Sequence, residues 1–97
     1  MEKIFEEIEQ LSLKEKKTLL EKMVKLQEEC GELAQEVLIH SKSSGSLHKE
    51  QGSDGIKGEC MDVTLVALSI FFKEGGSVEE CLAILQQKAA KWKKHQS

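Results

Sequence analysis

The run Val63-Thr-Leu-Val-Ala-Leu-Ser-Ile-Phe-Phe72 constrains this 97-residue chain more than any other stretch. It is apolar at almost every position, so no helical or strand alternation divides it into a wet side and a dry side. A helix that is apolar all round has to be covered all round. A chain of this size buries only about two thirds of its unfolded surface. Part of the cover is therefore expected from a second copy of the chain. Directly before the run stand two carboxylates, Glu59 and Asp62, where exposed charge has little reason to sit.

An earlier pair, Glu29 and Glu32, has the same spacing. On an α-helix three residues leave side chains roughly 60° apart and about one turn along the axis, so each pair shares a face. Two such faces set against each other converge four carboxylates. Like charges that close raise one another's pKa, and the chain contains no arginine to offset them. A hard divalent cation with oxygen ligands, Mg²⁺ or Mn²⁺, is the simplest partner. The bland alternative is that Glu28, Glu29, Glu32 and Glu36 form a solvated helix face.

The remaining sequence is helical in character. There is no proline and no tyrosine, 32% of residues are charged, and Leu, Glu and Lys are abundant. Residues 2–10 suit a short acidic helix with Ile4, Phe5 and Ile8 on its apolar side. Ser12 followed by Glu15 has capping-box spacing, which predicts a new helix from Leu13 to about Ser41. Leu13, Leu19, Leu20, Met23, Val24, Cys30, Leu33, Ala34, Val37 and Leu38 recur along it at helical steps. Such a helix is about 40 Å long, so a bend or a second subunit alongside it is expected. Residues 41–55, rich in Ser and Gly, form the expected flexible loop, and Asp54 is a candidate N-cap for a helix from Ile56 to about Glu74. Gly75-Gly76 ends that helix, and Ser77 with Glu80 is a further capping box opening a last helix to about Lys94. The expected architecture is all-α: one domain over residues 1–97, a bundle of four to five helices completed by oligomerisation as a homodimer or homotetramer.

Net charge of −3 argues against general nucleic-acid binding, although the C-terminal residues are locally basic. No apolar run approaches the roughly 18 residues of a membrane span, and the N-terminus is too acidic for a signal peptide. The three cysteines, Cys30, Cys60 and Cys81, are odd in number and lack CxxC spacing. They are expected to be small buried thiols in a reducing cytoplasm.

Glu28-Glu29-Cys30-Gly31-Glu32 and, 26 residues later, Glu59-Cys60-Met61-Asp62 resemble the EExxE…ExxD signature of the all-α nucleoside triphosphate pyrophosphohydrolases. That superfamily contains the MazG-like proteins, the dimeric dUTPases and phosphoribosyl-ATP pyrophosphohydrolase. Glu-Cys-Gly-Glu-Leu-Ala is similar to the family's E-x-G-E-L-A, and the resemblance spans about residues 22–94. It implies a MazG-like bundle and Mg²⁺ held by Glu29, Glu32, Glu59 and Asp62. It also implies hydrolysis of a (deoxy)nucleoside triphosphate between its α and β phosphates, giving the monophosphate and pyrophosphate. Glu28, next to the ligands, becomes the candidate base toward water, its alternative being an exposed partner of Lys25 or Lys22. In many relatives the last helix carries Lys-x-x-x-Asn and an arginine that contact the nucleotide. Here Lys88 matches the lysine, Trp92 stands in place of the asparagine, and no arginine follows. Lys88, Lys91 and Trp92 are thus the candidate substrate contacts, with Trp92 as a packing anchor the alternative. Lys42, His48, Lys49 and Lys57 are candidates to close over phosphates. A non-catalytic helical oligomerisation or regulatory module is the competing expectation. Phosphoribosyl-ATP hydrolysis is disfavoured by the scarcity of basic residues outside the loop and tail.

Overall fold

The computed structural model describes residues 2–41 and 55–96; the expected loop and the Asp54 cap lie outside them. The described residues form four α-helices and no strand: α1 (Glu2–Lys14), α2 (Leu19–His40), α3 (Gly55–Lys73) and α4 (Val78–Gln96). The fold is all-α, with four helices. None of them is long and apolar enough to cross a membrane.

The expected start of a helix at Leu13 is corrected. Ser12 lies inside α1, where its hydroxyl donates to the carbonyl of Ile8 at 2.6 Å. The capping box belongs instead to Thr18 and Glu21. Glu21 N–H donates to Thr18 Oγ1 at 3.1 Å, and Thr18 N–H donates to Glu21 Oε1 at 2.8 Å. Two segments have the same spacing, and a cap stabilises only where the backbone before it leaves the helix. The charged stretch Glu15–Lys17 makes that departure, so the 40 Å helix becomes α1, a short link and α2. Lys73, at the end of α3, fastens the link by donating to the carbonyls of Leu13 at 3.2 Å and Glu15 at 3.0 Å. A cation there also suits the C-terminal end of the α1 dipole.

The turn from α3 to α4 follows its sequence signals. Gly76 N–H donates to Phe71 C=O and Gly75 N–H to Phe72 C=O, the paired bonds of a Schellman end. Gly75 takes φ +102°, a conformation costly for a side-chain-bearing residue. Ser77 and Glu80 then make the expected reciprocal capping box, at 3.1 and 3.2 Å.

α3 is the centre of the fold and packs against both α2 and α1, while α4 packs mainly on α1. Phe72 and Cys81 are the buried apolar side chains of the described residues, and Phe72 meets Phe71 edge to face at 5.4 Å. The face that α2 turns inward is not its apolar stripe. Lys22, Glu29 and Glu36, seven residues apart, are buried, with Leu26 and Leu33 between them half-buried. Leu19, Leu20, Met23, Val24, Val37 and Leu38 point outward, Leu20 being 73% exposed. The bend expected of this helix is the link at residues 15–18, and the apolar stripe of α2 stays largely exposed within the chain. The acidic side of α2 is no uniformly solvated face, because Glu29 and Glu36 are buried.

Candidate metal centre

The packing of α2 on α3 creates the site. Glu29 faces α3 from the middle of α2, and Glu59 and Asp62 face back from its second turn. One oxygen from each of Glu29, Glu59 and Asp62 lies within 4.8 Å of the other two. Glu29 is 7% exposed, while Glu59 and Asp62 are half-buried.

The electrostatics of this cluster are unbalanced. Glu29 Oε1 pairs with Lys25 Nζ at 3.1 Å, one turn earlier on α2. Its other oxygen, Oε2, is buried without a hydrogen bond, and so is Glu59 Oε2. A buried carboxylate oxygen left unmatched costs about 1–3 kcal/mol or more. Burial pushes the Glu59 carboxyl above its ordinary range, and the negative charges of Glu32, Asp62 and Glu29 push it the same way. Glu32, the fourth carboxylate expected from the sequence, is exposed and stands outside this group of three, though its charge helps raise the Glu59 carboxyl. The Glu29 carboxylate, followed by Glu28 and Glu32, raises the Lys25 ammonium above its usual value. The site's one paired cation is therefore committed to a single oxygen of Glu29.

Oxygen ligands of Mg²⁺ at about 2.0–2.1 Å from the ion lie at most about 4.2 Å apart. Small side-chain rotations of Glu29, Glu59 and Asp62 bring their oxygens within that span. The donor set is all oxygen and anionic, which suits Mg²⁺ or Mn²⁺ and not a soft metal. Cys30 and Cys60, beside Glu29 and Glu59, do not join the cluster. Cys30 is exposed and Cys60 half-buried; only Cys81, whose thiol burial pushes up, meets the expectation of a buried cysteine.

The other sequence candidates lie elsewhere. Glu28 is exposed, about 100° around α2 from Glu29. Lys22 is not its partner, being buried and paired with Glu15. Lys88, Lys91 and Trp92 are exposed along α4, Trp92 at 68%. Trp92 anchors no packing within the described residues. Lys57 is exposed on α3, and Lys42, His48 and Lys49 lie outside the described residues. Sequence reasoning missed the Glu15–Lys22 pair. Its signal was Lys22 standing seven residues before Glu29, on the same face.

Neither family models, curated proteins nor solved structures give a match to this chain.

Proposed function

We propose that the chain is a Mg²⁺-dependent MazG-like nucleotide pyrophosphohydrolase. On this reading it cleaves (deoxy)nucleoside triphosphates between the α and β phosphates, in house-cleaning or nucleotide-pool control. The observation that carries the proposal is the buried, unmatched oxygen of Glu29 set against Glu59 and Asp62 within 4.8 Å. A scaffold gains nothing from such a group, since apolar replacements of buried charge are often stabilising. The EExxE…ExxD resemblance supplies the reaction.

Glu29, Glu59 and Asp62 would hold the ion, and Glu32, exposed on α2, would swing in to complete the set. When bound, the ion neutralises phosphate charge and makes a coordinated water more acidic. Lys25 fixes one oxygen of Glu29 and so leaves the other aimed at the cluster. Glu28 accepts the proton of the attacking water. Lys88, Lys91 and Trp92 contact substrate from α4, where their exposure leaves them available to a neighbouring copy.

The protein works as a homodimer or homotetramer. The outward stripe of α2, with Met61 exposed on α3, is the self-association surface. That same stripe favours a second reading, a non-catalytic oligomerisation or regulatory module of the same fold. The discriminating test incubates purified protein with Mg²⁺ and a panel of nucleoside triphosphates. Pyrophosphate release that disappears in Asp62→Asn is expected. No release from any nucleotide would leave the module reading in place.

A further inference from the structure

A second feature adjoins the carboxylate cluster. Between α1, α2 and α3 lies a cavity of about 250 Å³. Its walls are apolar, formed by Ile8 and Leu11 of α1 and by Leu65 and Val66 of α3. Glu15 and Lys22 line it as an ion pair, with Lys22 1% exposed. The hydroxyls of Ser12 and Ser69 also face it; both donate to carbonyls of their own helices, so their oxygens remain as acceptors. Small-molecule sites have this composition, apolar walls with a few convergent polar groups.

The cavity adjoins the cluster through Lys25. Lys25 lines the cavity while its ammonium pairs with Glu29. Leu65 and Val66 follow Asp62 by three and four residues on α3, which is about one turn, or 5.4 Å. A ligand whose phosphates lie at the cluster can extend its next atoms past Lys25 toward the cavity. In a nucleotide those atoms are the sugar and the base.

We propose that this cavity receives the nucleoside end of the substrate and that Glu15, held in place by the buried Lys22, accepts a hydrogen bond from the base. The assignment rests on the pyrophosphohydrolase reading and names the residues of this chain that meet the nucleoside. Every nucleobase carries at least one ring or exocyclic N–H on its Watson–Crick edge. Glu15, the more exposed member of the pair, accepts from that N–H, and Lys22 fixes its position from beneath. The ring itself replaces water against Ile8, Leu11, Leu65 and Val66. The pair is already held together in the empty cavity, so less ordering is required on binding. Hydrolysis of the phosphate chain does not involve these residues, and they act in binding the nucleoside.

The test is methyl NMR on the full-length protein with Mg²⁺. The probes are non-hydrolysable α,β-methylene triphosphates of each base and, separately, inorganic tripolyphosphate. The proposal expects every bound nucleotide to shift the methyls of Ile8, Leu11, Leu65 and Val66, and tripolyphosphate to leave them in place. Leu65→Trp should raise the Kd for nucleotides by about tenfold or more, with tripolyphosphate affinity unchanged. Nucleotides that bind without moving the four methyls would overturn the pocket and leave the pyrophosphohydrolase reading standing. Methyls that respond only to protein dilution would assign the cavity to a second copy, and would overturn it as well. Methyl shifts without turnover of any hydrolysable nucleotide would support the pocket while the reaction falls. Absence of all nucleotide binding would sink both.

Discussion

Replacing Glu15 by Gln isolates the most deeply buried charge in the described residues. Lys22 is 1% exposed and its ammonium is paired with Glu15, whose side chain is 39% exposed. Removing one partner of a fully buried pair costs about 3–5 kcal/mol, because the remaining charge is stranded. Water reaches Glu15, which screens the interaction, so about 1–3 kcal/mol is expected here. A chain of this length loses about 4–8 °C of Tm per kcal/mol, so Glu15→Gln should lower Tm by about 5–20 °C. Thermal unfolding followed by circular dichroism at one fixed protein concentration measures this, since association makes Tm concentration-dependent. The double variant Glu15→Leu with Lys22→Met removes both charges and should recover most of the loss, as apolar replacements of buried pairs commonly do. A Glu15→Gln Tm within 2 °C of wild type, or a double variant worse than the single one, would refute the reasoning.

Acid should weaken the same interaction. The hydrogen bond from Lys22, ahead of the charges of Lys22, Lys17 and Lys73, holds the Glu15 carboxyl below its ordinary value. A group whose folded pKa is depressed stabilises the fold above its unfolded value of 4.5 and loses that contribution as pH falls through the folded pKa. The stability difference between wild type and Glu15→Gln should therefore shrink below pH 4.5, as urea titrations at pH 6 and pH 3 would reveal. At the other end of the link, Lys73→Met removes two hydrogen bonds to the α1 terminus. It should cost about 0.3–1 kcal/mol and speed amide exchange in the last turn of α1; unchanged exchange there would count against the role given to Lys73.

Several parts of this fold are legible from sequence because their signals are local. Ser77, Glu80, Gly75 and Gly76 set the α3–α4 turn through bonds among neighbours, and the structure contains those bonds. The paired carboxylates are legible for a similar reason: three-residue spacing puts Glu59 and Asp62 on one face whatever packs against it. The break at residues 15–18 was not legible, because Ser12-x-x-Glu15 and Thr18-x-x-Glu21 are equally good capping boxes. What separates them is a tertiary effect, the Lys73 ammonium and the Lys22–Glu15 pair holding the link away from helical geometry. The orientation of α2 was hidden for a related reason. Periodicity identifies two faces of that helix, one apolar and one charged. It assigns the apolar face to the interior on the assumption that interior means the same chain. Here Lys22, Glu29 and Glu36 occupy the intrachain face, and the leucine and valine stripe faces outward. The cavity beside the cluster depends on three helices meeting and has no sequence signature of its own.

The central claim is that Glu29, Glu59 and Asp62 hold a divalent cation, and Mn²⁺ titration followed by electron paramagnetic resonance tests it without requiring any substrate. Wild-type protein should bind Mn²⁺, Mg²⁺ should displace it, and Glu29→Gln and Asp62→Asn should each weaken binding by about tenfold or more, at least the loss expected for groups that merely support metal ligands. Wild-type protein that leaves the Mn²⁺ signal free at millimolar concentration, or variants that bind as tightly as wild type, would contradict it.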